Sequence, residues 1–367
     1  FIFNYVGIFS GFLLIAGIGK LQPQLYRLYP GILTIRGVIT GTFVGRMTTG
    51  LHVGSIQPTL LKSTREYKRL VSSIFTLSMM GSILFGIAAS AFMRANATEF
   101  LKIQVLIAST VSLSTFILLP LTTVISVFSY KRGIDPDVVT YPIMSTLADV
   151  TSTLAYVLII ISMNVFPLLP VILTGILLMV GLFGLRRSWE REYLRTIKEV
   201  LVTIGIVVGI VNVTGALLER IIVELRAVEA VLLLYPMLMA LAGDVGSTVG
   251  SITTTKLALG EDEDNIMKGI LTNWSQYSVI FSALIVTFGG AFISALIMGK
   301  GVMEVILPVM GTTLSSSILI IIFSQFVAYA SWRRGLNPDN FVIPIESSVA
   351  DVLTTLFLYA ILKFFYL

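Results

Sequence analysis

The sequence predicts an all-α polytopic membrane protein: two parallel five-helix repeats joined by one extra transmembrane helix, about 11 spans in all. Three observations predict it. The 367 residues are 56% hydrophobic and only 12% charged, where a soluble domain carries about 25% charged residues. Apolar runs near the ~20 residues that cross a bilayer recur along the whole chain. Finally, Arg132-Gly133-Ile134-Asp135-Pro136-Asp137, leading to Leu147-Ala148-Asp149, returns 202 residues later as Arg334-Gly335-Leu336-Asn337-Pro338-Asp339, leading to Val349-Ala350-Asp351.

Breaks at charge and Pro/Gly clusters place the spans near 1–19, 28–50, 70–93, 103–129, 139–163, 166–185, 197–218, 229–256, 268–298, 303–331 and 341–365. The alternating pattern of a membrane barrel is missing, so the spans are helices. The second span opens on Tyr29-Pro30, which aligns with Tyr235-Pro236 of the eighth. Gly37, Thr42, Thr48, Thr49 and Gly54 fall opposite Gly243, Thr248, Thr254, Thr255 and Gly260 at the same offset of 206. The first repeat therefore covers 1–164 and the second 197–367, with a linker helix and loop over 165–196. Five spans would invert the second repeat; the extra crossing restores its orientation, about an axis along the membrane normal. Phe1 is not a start methionine, so the chain is expected to begin inside a longer one, with room for a soluble domain ahead of it.

Charge sets the expected orientation. The loops on the first residue's side hold Lys62, Arg65, Lys68, Arg69, Lys131, Arg132 and a cluster from Arg186 to Lys198, roughly twice the basic residues of the opposite loops. The positive-inside rule then puts the N-terminus in the cytoplasm and the C-terminus outside, in a multi-pass plasma-membrane protein. The net charge of +5 lies in loops and reads as topology, not as nucleic-acid binding. There is no cysteine, hence no disulfide or thiolate metal site, and the single His52 excludes a histidine cluster. His52 is expected at an interface. No organic cofactor is expected.

A carboxylate at membrane depth costs about 2.5–3.5 kcal/mol or more unless paired or hydrated. Asp149 and Asp351 lie eight residues into the fifth helix of their repeats, about 12 Å deep at 1.5 Å per residue. Ser145, Asp149, Ser152 and Thr153 share one face, as do Ser347, Asp351, Thr354 and Thr355. Such a stripe faces water or the bundle interior. Two equivalent acids suggest one pore lined from both sides; the plainer alternative is that each caps a neighbouring helix or pairs with an intramembrane arginine. Asp244 adds a third carboxylate among the small residues Gly243, Gly246, Ser247 and Thr248, which suit close packing or a helix opened toward a cavity. Val38 stands at the Asp244 position in the first repeat, whose Arg36 and Arg46 are candidate partners for Asp244 or Asp149, or else snorkel to an interface.

Weaker signals complete the set. Ser109, Ser112 and Ser114 lie opposite Thr312, Ser315 and Ser317, and either line a wet path or bond the preceding turn. Asp135-Pro136-Asp137 and Asn337-Pro338-Asp339 suit helix caps. Glu261-Asp262-Glu263-Asp264 reads as a solvated loop or a cation sensor. Carboxylates, hydroxyls and carbonyls form an all-oxygen environment suited to hard divalent cations, magnesium, calcium or manganese.

At these residues the chain resembles the MgtE superfamily of magnesium channels and transporters, most closely its two-repeat, solute-carrier-like members of archaea and eukaryotes. Leu241-Ala242-Gly243-Asp244-Val245-Gly246 is similar to that family's Gly-Asn-x-Gly signature, with Asp244 for asparagine. Arg36-Gly37 followed by Gly45-Arg46-Met47-Thr48-Thr49 is similar to its Lys-Gly-Asn and Ser-Arg-x-Ser-Thr pattern, with Val38 for asparagine. The resemblance implies transport of Mg²⁺, with Asp149 and Asp351 as pore ligands, Asp244 assisting, and Gly37, Thr42, Gly243, Thr248, Ser145 and Ser347 lining the path. It also implies a pore completed within one chain, and hence by a monomer, in contact with lipid and no nucleic acid. The departures at Val38 and Asp244 argue against strict two-fold symmetry of the site. A channel and a sodium- or proton-coupled carrier both fit, as does another ion such as Mn²⁺. Two readings of other classes stand beside these: an intramembrane aspartyl protease, whose Tyr-Asp and Gly-x-Gly-Asp contexts are missing here, and a lipid or organic-cation carrier.

Overall fold

The structure, a computed structural model, describes residues 1–18, 23–59, 64–134, 136–187, 191–224, 229–258, 274–333 and 339–366. Regular structure among them is helical throughout. After a 3-10 turn over Ile2–Tyr5 come α1 (Val6–Ile18), α2 (Pro23–His52), α3 (Arg65–Met93), α4 (Ala97–Lys131), α5 (Pro136–Val165) and α6 (Leu168–Arg187). Then follow α7 (Arg191–Glu224), α8 (Glu229–Ala258), α9 (Trp274–Met298), α10 (Val302–Arg333) and α11 (Asp339–Tyr366). Each expected span has its helix. The stretch 268–273 of the ninth expected span, Asp135, Asn337-Pro338 and the Glu261–Asp264 run lie outside the described residues.

Helices outrun the apolar spans where caps exist. Asn96 accepts from the Glu99 backbone N–H at 3.0 Å while Glu99 accepts from that of Asn96 at 3.0 Å, so α4 begins well before its apolar run. Thr64 caps α3 in the same way, accepting from the Tyr67 N–H at 3.3 Å. Among the described residues nine helices, α3 to α11, are long and apolar enough to cross a membrane. The apolar stretch Ile2–Ile18 is short, and α2, though 30 residues long, is diluted by Arg27, Arg36, Arg46 and its threonines and glycines.

The chain forms two compact units. The N-terminal unit holds Ala16–Ile18 and Leu28–Asn212; the C-terminal unit holds Phe1–Ile15, Gly19–Arg27 and Val213–Leu367. These boundaries differ from those of the sequence repeats because the first helix of each repeat is exchanged. Most of α1 packs against α8 of the C-terminal unit. There Gly11 backs onto the Leu233 carbonyl, and a Cβ on Gly7 would sit 2.8 Å from the Met237 backbone. The first half of α7 lies in the N-terminal unit, where a Cβ on Gly81 of α3 would lie 3.3 Å from Ile204. Helix α6 packs on α3, α4 and α5. In the C-terminal unit α8 is the central helix, touching α9, α10 and α11. Its Leu241, Val245 and Val249 meet Val279, Ala283 and Val286 of α9, while Ala242, one position on, meets Ile320 and Ala350.

Because α1 lies backbone to backbone on α8, Gly11→Ala should lower the unfolding temperature of the detergent-solubilised protein. Forced overpacking costs about 1–3 kcal/mol. Gly175→Ala, where a Cβ meets nothing within 4 Å, should leave that temperature unchanged or slightly raised.

Candidate functional site

Each unit builds the same joint around its repeated aspartate. In the N-terminal unit the Thr153 hydroxyl donates to the Asp149 carbonyl at 2.7 Å and lies 2.9 Å from the Tyr29 hydroxyl of α2. In the C-terminal unit Thr355 donates to the Asp351 carbonyl at 2.7 Å and lies 2.9 Å from the Tyr235 hydroxyl of α8. Both tyrosines are fully buried. A buried phenol usually finds a partner, and here the tyrosine pins the acidic helix one turn beyond its aspartate. Thr153 and Thr355, expected on the wet stripe, are thus anchors. Ser152 and Thr354 are buried as well, and their hydroxyls have no partner.

Beside each joint runs a face of small and polar residues. On α2, Gly37, Val38, Gly41, Thr42, Gly45, Arg46 and Thr49 recur at helical spacing and are partly or well exposed. On α8, Gly243, Asp244, Ser247, Thr248 and Ser251 do the same. A Cβ on Gly37 or on Gly243 would meet no atom within 4 Å, so open space adjoins both. Thr42 spends its hydroxyl on the Val38 carbonyl at 2.8 Å. Ser145 is exposed and Ser347 half-buried. The α2 face continues into a cavity of about 630 Å³ that Gly41, Thr42, Gly45 and Arg46 share with Glu66 and Arg69, which pair with each other.

The charges around the two aspartates differ. Arg36, 5% exposed, forms an ion pair with Asp149, the plainer of the two expectations for that acid. Arg46 lies in the cavity instead. In the C-terminal unit Ala242 stands where α2 has Arg36, and Asp351 is buried. Asp244 accepts from the Asn4 side-chain amide at 2.8 Å, a contact that the exchange of α1 makes possible. A fourth acid, Glu346, is fully buried five residues before Asp351, and both its carboxylate oxygens lack a hydrogen-bond partner. Among the described residues no three His, Cys, Asp or Glu side chains are gathered closely enough to cage a metal.

Other expected residues have structural work. Ser109 and Ser114 donate to carbonyls one turn back at 2.6 and 2.5 Å, and Thr312 does so at 2.8 Å. His52 stacks edge-on against Tyr130, ring centroids 5.9 Å apart. Sequence reasoning passed over Glu346, although a charge opposite Met144 of the first repeat was its signal. It also passed over Asn4, for which no repeat or motif speaks.

Removing one member of a fully buried ion pair costs about 3–5 kcal/mol, because a charge stays behind unmet; with the Asp149 side chain 25% exposed the loss should fall below that. Arg36→Gln should therefore destabilise the protein, and Arg36→Gln with Asp149→Asn should recover much of that loss. Thermal unfolding of the two single variants and the double variant, read as a cycle, checks this.

Residues 29–159 and 235–361 match the family model for MgtE, described as a divalent cation transporter. No curated protein matches the chain. No solved structure matches it either.

Proposed function

From a chain that belongs to the MgtE divalent cation transporter family, we propose a Mg²⁺ transporter that uses Asp149, Asp351 and Asp244 as ion ligands. The protein is multi-pass and membrane-embedded, and the reading adds the ion, the residues and the orientation in the membrane. One observation carries it: in both units a tyrosine-anchored acid lies next to a helix face of glycine and hydroxyl groups with open space beside it. Hard divalent ions take oxygen ligands, and magnesium keeps several waters while one or two carboxylates hold it. In the N-terminal unit Arg36 meets the charge of Asp149 between ions and yields it to an arriving one. Gly37, Thr42, Gly243, Thr248, Ser145 and Ser347 line the route. One polypeptide supplies both sets of ligands, so a monomer suffices. The activity is transport and not catalysis, in the plasma membrane, with the N-terminus in the cytoplasm.

Proteoliposomes test the residues. Uptake of Mg²⁺ into vesicles holding a fluorescent indicator should fall roughly tenfold or more for Asp351→Asn, as expected when a membrane-depth ligand is lost. Asp149→Asn should slow it too. Wild-type rates in both variants would remove these ligands. Uphill uptake driven by a sodium or proton gradient would identify a carrier, and its absence a channel.

The cysteine-free sequence allows a direct test of orientation. A membrane-impermeant maleimide applied to intact cells should label a cysteine at Thr98, in the first turn of α4, and spare one at Gln57, in the loop after α2. Both side chains are exposed. The reverse pattern would invert the topology.

A further inference from the structure

Charge differs between the repeats at four register positions around the joint, each change making the C-terminal repeat less basic or more acidic, while further along the helix Lys256 of α8 stands where α2 has Gly50. Arg36, Val38 and Arg46 of α2 correspond to Ala242, Asp244 and Ile252 of α8, and Met144 of α5 corresponds to Glu346 of α11. With the shared aspartates, the N-terminal set holds two arginines against one acid. The C-terminal set holds three acids and no base.

Glu346 is the extreme case. Met144 sits in an apolar cluster with Val44, Leu118 and Ala148, as the position demands. Glu346 occupies the same register fully buried, and neither oxygen has a partner. Its Oε1 lies against Gly246 of α8, where any side chain would collide with it, and Ile320 of α10 closes on the same glycine. The charged groups that act on it are Asp351 from its own helix and Asp244 from α8. A buried carboxylate with like charges for neighbours and no donor is a costly arrangement that an external cation would repair.

We infer that Glu346 is the innermost ligand of a divalent-cation site built within the C-terminal unit, with Asp244 and Asp351 as companions and no counterpart in the N-terminal unit. The inference rests on the transport reading above and says which unit holds the ion. Open space beside Gly243, one turn before Gly246, gives room for the ion and retained water. Among the described residues these acids are not gathered into a three-carboxylate cage, so the ion would keep several waters and be held by one or two of the three carboxylates at a time.

The test uses the full chain in detergent with Mn²⁺ as the probe, titrated by electron paramagnetic resonance, and Mg²⁺ as competitor. In E346Q the affinity for Mn²⁺ should fall roughly tenfold or more, and the rise in unfolding temperature that saturating Mn²⁺ gives the wild type should disappear. Without ion, E346Q and E346M, the latter carrying the residue of the other repeat, should unfold at or above the wild-type temperature, because a burdensome charge is gone. Wild-type Mn²⁺ binding in E346Q overturns the inference. So does ion-free destabilisation of both variants, which would make the carboxylate a structural element. If E346Q binds normally while Asp351→Asn still abolishes flux, only the inference falls. If the wild type neither binds nor moves divalent ions, the transport reading falls instead.

Discussion

In both units a tyrosine hydroxyl reaches across to a threonine one turn beyond an intramembrane aspartate, and that threonine in turn holds the aspartate's own carbonyl. The bond is short, buried and duplicated. It couples α2 to α5 and α8 to α11, the two helices of each unit that carry ionisable side chains into apolar surroundings. An acid in such surroundings is tolerable only if its charge is met. The tyrosine fixes the helix that carries it. How the charge is met then separates the repeats: the Arg36 guanidinium of α2 pairs with Asp149, and Ala242 stands at that position of α8.

That separation is the point at which a duplicated architecture becomes a functional one. An internal repeat begins with equivalent halves, and equivalent halves would share every liability as well as every ligand. Arginine stands on one side and extra carboxylates on the other, while apolar clusters pack beside both, Val44 with Met144 in one unit and Ala242 with Ala350 in the other. The family match over 29–159 and 235–361 covers the second to fifth helices of each repeat, the part in which this joint lies.

Much of this was legible in the chain. Span positions followed from hydropathy because a bilayer imposes length and apolarity directly. The aspartates stood out for the same reason, as did Arg36 as a partner. What escaped had no local signature. Thr153 and Thr355 read as wet because spacing shows which residues share a face and says nothing about what covers it. Glu346 hid in a repeated motif whose other members drew the eye. Asn4 meets Asp244 only because α1 crosses to the other unit, and such an exchange leaves no mark on periodicity or composition.

The exchanged first helices carry a consequence for biosynthesis. Helix α1 belongs to the half made later, and it must wait in the bilayer, with Gly7 and Gly11 uncovered, until α8 arrives. The half made first, in turn, lacks a piece until α7 emerges. Neither copy of the ancestral duplication is any longer a self-sufficient folding module, so the gene cannot be cut at its point of internal symmetry without leaving two incomplete products.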